Sequence, residues 1–275
     1  QEAVFLGAIS VVEPQPGYPL KLLLVAAMMA IAQDDAPDLA HIMQVVQGHV
    51  ARLETSVPNF ICDEEIVSTL YRGNKRKKQT RAADLLTTTR RLNEHSATFQ
   101  EARSDMKING KPSKRKEISG PFVWHGGPAY ADLHFLFNSP KGNVCLERKL
   151  VGRVKLRNAD AILMEAHTSD ALGRDAACDV LRADSAHRIW LDPQSLNVMR
   201  IESYNPPTNT PPDADLTLTV DYIPVTFEGA EYWLPSHFTS KLDFLDASDH
   251  ARYESSFSNY HQFSAESTVH IDSDQ

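Results

Sequence analysis

Cysteine is scarce: only Cys62, Cys145 and Cys178 occur in 275 residues, and no two stand in a CxxC pair. Zinc ribbons and thioredoxin-type redox sites need paired thiols at that spacing, so both are excluded. The catalytic signatures that a lone sequence can reveal are absent too; there is no GxSxG, HExxH, P-loop or GxGxxG. Positive charge is the minority sign, with 28 Lys and Arg against 36 Asp and Glu and a net charge of −8. General nucleic-acid affinity is therefore excluded. No internal repeat and no low-complexity tract is present. The apolar run Leu22–Ala32 is too short for a comfortable membrane span.

That run has another reading. Lys21 precedes it and Ala30-Ile31-Ala32 closes it. A positive charge, an apolar stretch and a small-x-small end are the pattern of a cleaved secretory leader. No cysteine follows, so the lipidated variant is not implied. Residues 1–32 are read as an N-terminal extension and leader, and 33–275 as one periplasmic or secreted domain. In an oxidising compartment three thiols allow at most one intramolecular bridge. Cys145 and Cys178 lie in the same half of the chain and are the expected pair, with geometry deciding.

The apolar share, 42%, is enough to bury a core. Leu39, Ile42, Val46, Val50 and Leu53 recur at helical spacing over residues 37–56, with Pro37 and Asp38 in the first turn and Pro58 as the stop. From Asn59 the pattern is one of strands: 60–71, 85–92 and 97–108, with a basic loop over 72–78 and a turn at Asn109-Gly110. Tyr130, Leu133, Leu136 and Phe137 share a face of a short helix ending near Asn138. Strands resume over 144–156 and 159–167. The stretch Ala186–Tyr204 reads as a hairpin: Asp192-Pro193-Gln194-Ser195 suits a type I turn, and His187, Ile189 and Leu191 oppose Arg188, Trp190 and Asp192. Its second strand alternates Val198, Arg200 and Glu202 against Met199, Ile201 and Ser203. Three further alternating strands follow, from about 216, 234 and 253. The fold class is mainly β, α+β in kind. Two helices cannot cover a flat sheet of this size, so a strongly curved antiparallel sheet wrapped round them is expected.

The hairpin RIWLDPQSLNVMRIE resembles one in the LolA-type periplasmic lipoprotein carriers and in the N-terminal domain of RseB regulators. The run Tyr222-Ile223-Pro224-Val225, Gly229 and Trp233-Leu234-Pro235 resembles their next hairpin. The resemblance covers about residues 37–268 as architecture. It implies an open half-barrel of antiparallel strands with helices packed in the concave face, where carriers of the group hold acyl chains. Related hairpins place Gly where this chain has Leu196; Asn197 is expected to take the positive φ instead.

Three functions compete: a non-enzymatic binder of an acyl chain or lipidated protein, an RseB-like sensor or scaffold docking on another envelope protein, and a hydrolase. The cavity candidates are Trp124, Leu133, Leu136, Phe137, Trp190 and Trp233, for which core packing is the equal alternative. His125 and His134 are the nearest approach to a metal pair, but no third ligand stands at a suitable spacing, so no metal and no cofactor is expected. Asp63-Glu64-Glu65 reads as a solvated edge. In an antiparallel meander the first and third turns share an end, so Lys75, Arg76, Lys77 and Lys78 are expected beside Lys111, Lys114, Arg115 and Lys116. That end is the candidate dock for anionic headgroups or an acidic partner, solvated hairpin tips being the plain alternative. The leader pattern predicts Gln33 as the first residue of the exported protein, and N-terminal sequencing checks it; an intact Lys21–Ala32 segment on a soluble cytoplasmic protein refutes it.

Overall fold

The computed structural model describes residues 38–91, 99–104, 106–113, 133–168, 178, 185–206, 214–244 and 249–263. The leader segment, Trp124, His125, Lys114, Arg115 and Lys116 lie outside these residues. Helix α1, Leu39–Ser56, carries the expected stripe, with Ile42, Val46, Val50 and Leu53 all buried. It begins two residues later than the sequence suggests. Asp38 is the N-cap rather than a first-turn residue, and its Oδ1 accepts from the His41 N–H at 2.7 Å. A carboxylate satisfies an otherwise orphaned amide better at that position.

Twelve strands follow: β1 Phe60–Arg72, β2 Lys75–Arg91, β3 Phe99–Ser104, β4 Lys107–Ile108, β5 Lys111–Pro112, β6 Glu147–Leu156, β7 Ala159–His167, β8 Ala186–Leu191, β9 Val198–Asn205, β10 Ala214–Phe227, β11 Ala230–Phe244 and β12 Asp249–Gln262. All pairings are antiparallel, in the order β5-β4-β2-β1-β12-β11-β10-β9-β8-β7-β6, with β3 on β2 beside β4. The path has two ends that do not meet, so the sheet is an open half-barrel. Between β5 and β6 lie a π-helical turn, His134–Asn138, and a short helix α2, Pro140–Cys145. One apolar core joins the α1 stripe, Leu133, Leu136 and Phe137 to residues of strands from β1 to β12.

Three local expectations change. The basic segment is not a loop: a two-residue turn at Gly73-Asn74, with Gly73 at φ +51°, returns the chain at once, and Lys75–Lys78 are the first residues of β2. The residues 144–145 are helical rather than extended. Ser139 caps α2, Pro140 opens it, and a Cβ on Gly142 would stand 1.8 Å from the Phe135 carbonyl oxygen. The β8–β9 register slips between Trp190 and Leu191, so that Leu191 faces Val198 and Met199 is the extra residue of a bulge. That slip puts Val198 on the buried side with Ile201 and Ser203.

The turn between β8 and β9 is built as the sequence suggests. Asp192 Oδ1 accepts from the N–H groups of Gln194 and Ser195 at 3.1 and 2.7 Å. The positive φ falls on Leu196, at +55°, and not on Asn197. Leu196 donates its N–H to the Asp192 carbonyl and is buried in the core. A left-handed non-glycine residue costs about 1–2 kcal/mol, and burying a leucine contributes about 1.5–3 kcal/mol, so burial decides the residue. The variant Leu196→Gly should relieve the strain yet lose about 1–3 kcal/mol net in urea unfolding, because a buried leucine truncation costs about 2–5 kcal/mol; a gain in stability would show that strain outweighs packing.

Candidate functional site: the inner face of the sheet

Cross-strand register lines the inner face in rungs. One rung runs through Ile66, Ser255, Phe238, Val220, Ile201, Ile189 and Met164 across seven strands. All are buried, and only Ser255 is polar. The next rung, two residues along each strand, runs through Ser68, Tyr253, Ser240, Leu218, Ser203, His187 and Ala166. It is buried as completely and is mostly polar. An apolar band and a polar band thus lie side by side under the helical plug.

The polar groups are mostly partnered. Glu64, with a fully buried side chain, accepts from Thr87 Oγ1 at 2.6 Å, Arg103 Nε at 2.7 Å and Ser255 Oγ at 2.8 Å. This corrects the reading of Asp63-Glu64-Glu65 as a solvated edge. β1 lies inside the sheet between β2 and β12, so the alternation that exposes Asp63 buries Glu64. His187 shares a hydrogen bond of 2.8 Å between Nδ1 and Ser203 Oγ, while its Nε2 is buried with no partner among the described residues. Burial, and secondarily the charge of Arg148, lowers its pKa to about 4. Arg148 itself donates to the Leu136, Gly142 and Leu146 carbonyls at 2.6, 3.0 and 3.2 Å, which ties the π-helical turn and α2 to β6.

The hollows among the described residues include two with different linings. One, about 50 Å³, opens between α1 and the β10–β11 hairpin, lined by Val50, Leu53, Leu133, Tyr222, Tyr232 and Trp233, with His49, Arg52 and Glu231 among its polar residues. Arg52 stands 5.3 Å over the Tyr232 ring, and Tyr232 OH donates to the Ser56 carbonyl at 2.8 Å. The other, about 440 Å³, lies by the ends of β7, β8 and β9, where Glu165, His167, Arg188, Glu202 and Tyr204 line it. Arg188 bridges both carboxylates there, at 3.5 and 3.8 Å.

The cavity candidates divide. Leu133 and Trp233 line the hollow beside α1. Leu136 and Phe137 are wholly buried and fill the interior, and the Phe137 carbonyl receives Gln47 Nε2 at 2.9 Å. Trp190 faces away: it alternates with buried Ile189 and Leu191, and its register partner is Arg200, which clamps Asp221 on the outer face. Strand alternation sends it outward, which corrects its place among the cavity residues. The Nδ1 of His134 lies 2.6 Å from Glu54 Oε1 and braces the π-helical turn on α1, while His125 lies outside the described residues. The hollow's Val50, Leu53, Tyr222 and Tyr232 were not singled out as cavity candidates; the α1 stripe was a signal for the first two. Cys145 and Cys178 form a disulfide with Cα atoms 5.6 Å apart, and Cys62 is buried in β1. The turn Asn109-Gly110 closes on Arg81, whose N–H donates to Asn109 Oδ1 at 2.9 Å. Lys111 therefore stands level with the middle of β2, paired with Ile108 and through it with Ala82, while Lys114, Arg115 and Lys116 lie outside the described residues.

A serine-hydrolase triad needs a serine, a histidine base and a group orienting that base. Two Ser–His contacts occur among the described residues, His187 with Ser203 and His237 with Ser256, at 2.8 and 3.1 Å. His187 lacks an orienting partner on Nε2, and His237 Nε2 meets Thr239 Oγ1 at 3.1 Å instead of a carboxylate. Neither is a triad.

No family model and no curated protein matches the chain. Solved structures similar to it include a LolA superfamily protein from Nitrosomonas europaea (9% identity, TM-score 0.33, covering 82% of this chain and 94% of that one). Others are the lipoprotein LppX of Mycobacterium tuberculosis (7%, 0.28, 86% and 100%) and a chain of the Pseudomonas aeruginosa MucA/MucB complex (8%, 0.24, 82% and 99%). The half-barrel itself rests on the strand order and register above.

The buried His187 makes stability depend on pH. Its folded pKa of about 4 lies below the ordinary 6.5, so the unfolded chain binds the proton first and stability falls as pH drops from 6.5 toward 4. Between pH 7 and 5 the loss should be about 2 kcal/mol, and most of it should vanish in His187→Gln, which keeps a hydrogen-bonding group near Ser203. Urea midpoints of both proteins at the two pH values measure it; equal losses would assign the effect to other groups.

Proposed function

We propose that the protein is a non-enzymatic binding protein that takes an apolar chain between α1 and the inner face of the sheet. The carrying observation is the hollow at the margin of α1, walled by Val50, Leu53, Leu133, Tyr222, Tyr232 and Trp233 and continuous in character with the apolar rung behind it. At about 50 Å³ it is a beginning of a site rather than a full one, since ligand pockets run to roughly 300–1,000 Å³. Occupation requires α1 to yield. Exposing Ile42, Val46, Val50 and Leu53 costs about 6–12 kcal/mol, at about 1.5–3 kcal/mol each. A methylene chain that replaces them recovers about 0.8 kcal/mol per group, so roughly eight to fifteen methylenes balance the displacement. Acyl chains of lipids or lipidated proteins have that length. The disulfide and the leader pattern support a periplasmic or secreted setting.

A second reading, docking on another envelope protein, is favoured by one feature: Leu136 and Phe137 already fill the interior. Native mass spectrometry of protein purified from an envelope fraction separates the two. The first reading expects a co-purifying lipid mass, and saturable binding of fatty acids only from about ten carbons upward. The variant Leu53→Trp, which fills the hollow, should weaken that binding at least tenfold while thermal melting stays cooperative. Lipid-free protein that binds no fatty acid of any length leaves the docking reading.

A further inference from the structure

We propose that the tip of the β1–β2 hairpin docks end-on at an anionic lipid surface. Arg72, Lys75, Arg76, Lys77 and Lys78 stand within seven residues, and every residue from Arg72 to Gln79 is exposed. None of these eight is apolar, so the tip has nothing to place in hydrocarbon and any attraction is electrostatic. Arg72 is bound to Asp249 at 2.9 Å, and Arg76 Nη1 donates to Gln79 Oε1 at 3.1 Å. None of Lys75, Lys77 and Lys78 forms a salt bridge within 4 Å among the described residues, although Lys77 lies near enough to Asp249 to add to the pull of Arg72 that lowers the pKa of that carboxyl. Strand alternation sends successive side chains to opposite faces, and the register slip between Leu70 and Tyr71 leaves Lys77 as the extra residue. Cations therefore surround the tip instead of lining one side of it. That distribution suits a finger among headgroups, which present phosphate on all sides, better than a partner strand, which meets a single edge.

The described neighbours leave the tip open. β4 pairs with β2 only at Ala82 and Ala83, and its turn closes on Arg81, about 20 Å from Lys75 at about 3.3 Å per residue. Among the described residues, the edge of β2 from Lys75 to Thr80 has no partner strand. A second copy is opposed there, because pairing two such edges brings four cations against four. The chain's net charge of −8 opposes approach in any other orientation. With a Debye length of about 8–10 Å in physiological salt, the tip meets the surface while most of the acidic body is screened from it. Docking in this way turns the hollow beside α1, at the opposite ends of the strands, away from the surface. The inference stands apart from the binding reading, since no tip residue lines that hollow.

Flotation of the exported protein, beginning at Gln33, with vesicles tests it. Vesicles of phosphatidylcholine with about a third phosphatidylglycerol should bind the protein at low salt, and pure phosphatidylcholine should not. Each cation near such a surface contributes on the order of fivefold, so the variant K75Q/R76Q/K77Q/K78Q should lose far more than tenfold in affinity. A control with the same change in net charge, K149Q/R153Q/K155Q/K241Q, should keep binding to within a few fold. Circular dichroism melts confirm that both variants fold; should the quadruple fail to, K75Q/K77Q alone is expected to lose at least tenfold. The proposal is overturned if the unmodified protein ignores anionic vesicles, which leaves a solvated tip or an acidic protein partner, or if tip and control variants lose binding equally.

Discussion

The structure depends on one apolar contact, the stripe of α1 laid on the inner face of an open sheet. A closed barrel would satisfy its edges by itself, but this sheet ends at β5 and β6 and turns a whole apolar face inward. Ile42, Val46, Val50 and Leu53 cover that face, and the connections around α1 hold the helix down. Gln47 reaches the Phe137 carbonyl, Glu54 receives Asn138 and lies against His134, and Tyr232 reaches the last turn at Ser56. Removing the helix would expose side chains from many strands at once. The same dependence is why a ligand for this face must be apolar and long.

The inner face is not uniformly apolar, and this has a physical consequence. A slip of one residue in any pairing would send Glu64, His187 or Ser203 to the wrong partners as well as the wrong face. Glu64 needs donors from β2, β3 and β12 together, because a buried carboxylate without them is strongly unfavourable. Such a cluster weakly favours stability and strongly disfavours alternative registers. It also brings the short strand β3 onto the sheet through Arg103, although β3 pairs along only six residues.

Charge is distributed against the grain of the composition. The body is acidic, yet the β1–β2 tip gathers five cations, and β6 carries Arg148, Lys149, Arg153 and Lys155. Of these, Arg148 serves the interior, as a clamp on carbonyls, and its burial lowers its pKa from the ordinary arginine value. One residue type thus does opposite work according to the face it occupies.

Local pattern alone determined a great deal. The α1 stripe, the alternation in β8, β10 and β11, the Asp192 turn and the LolA-like resemblance of two hairpins were legible because periodicity and turn chemistry are set by near neighbours. What depends on distant residues was not legible. Nothing near Glu64 distinguishes it from Asp63 and Glu65, since only the placement of β1 between β2 and β12 buries it. The outward turn of Trp190 follows from alternation, but which face of β8 is inward needed the α1 contact. The positive φ went to Leu196 over Asn197 because the core offered leucine more than backbone preference withheld, and no local rule contains that core. The rungs of the inner face are sums over strands far apart in sequence, and only tertiary register brings them into line.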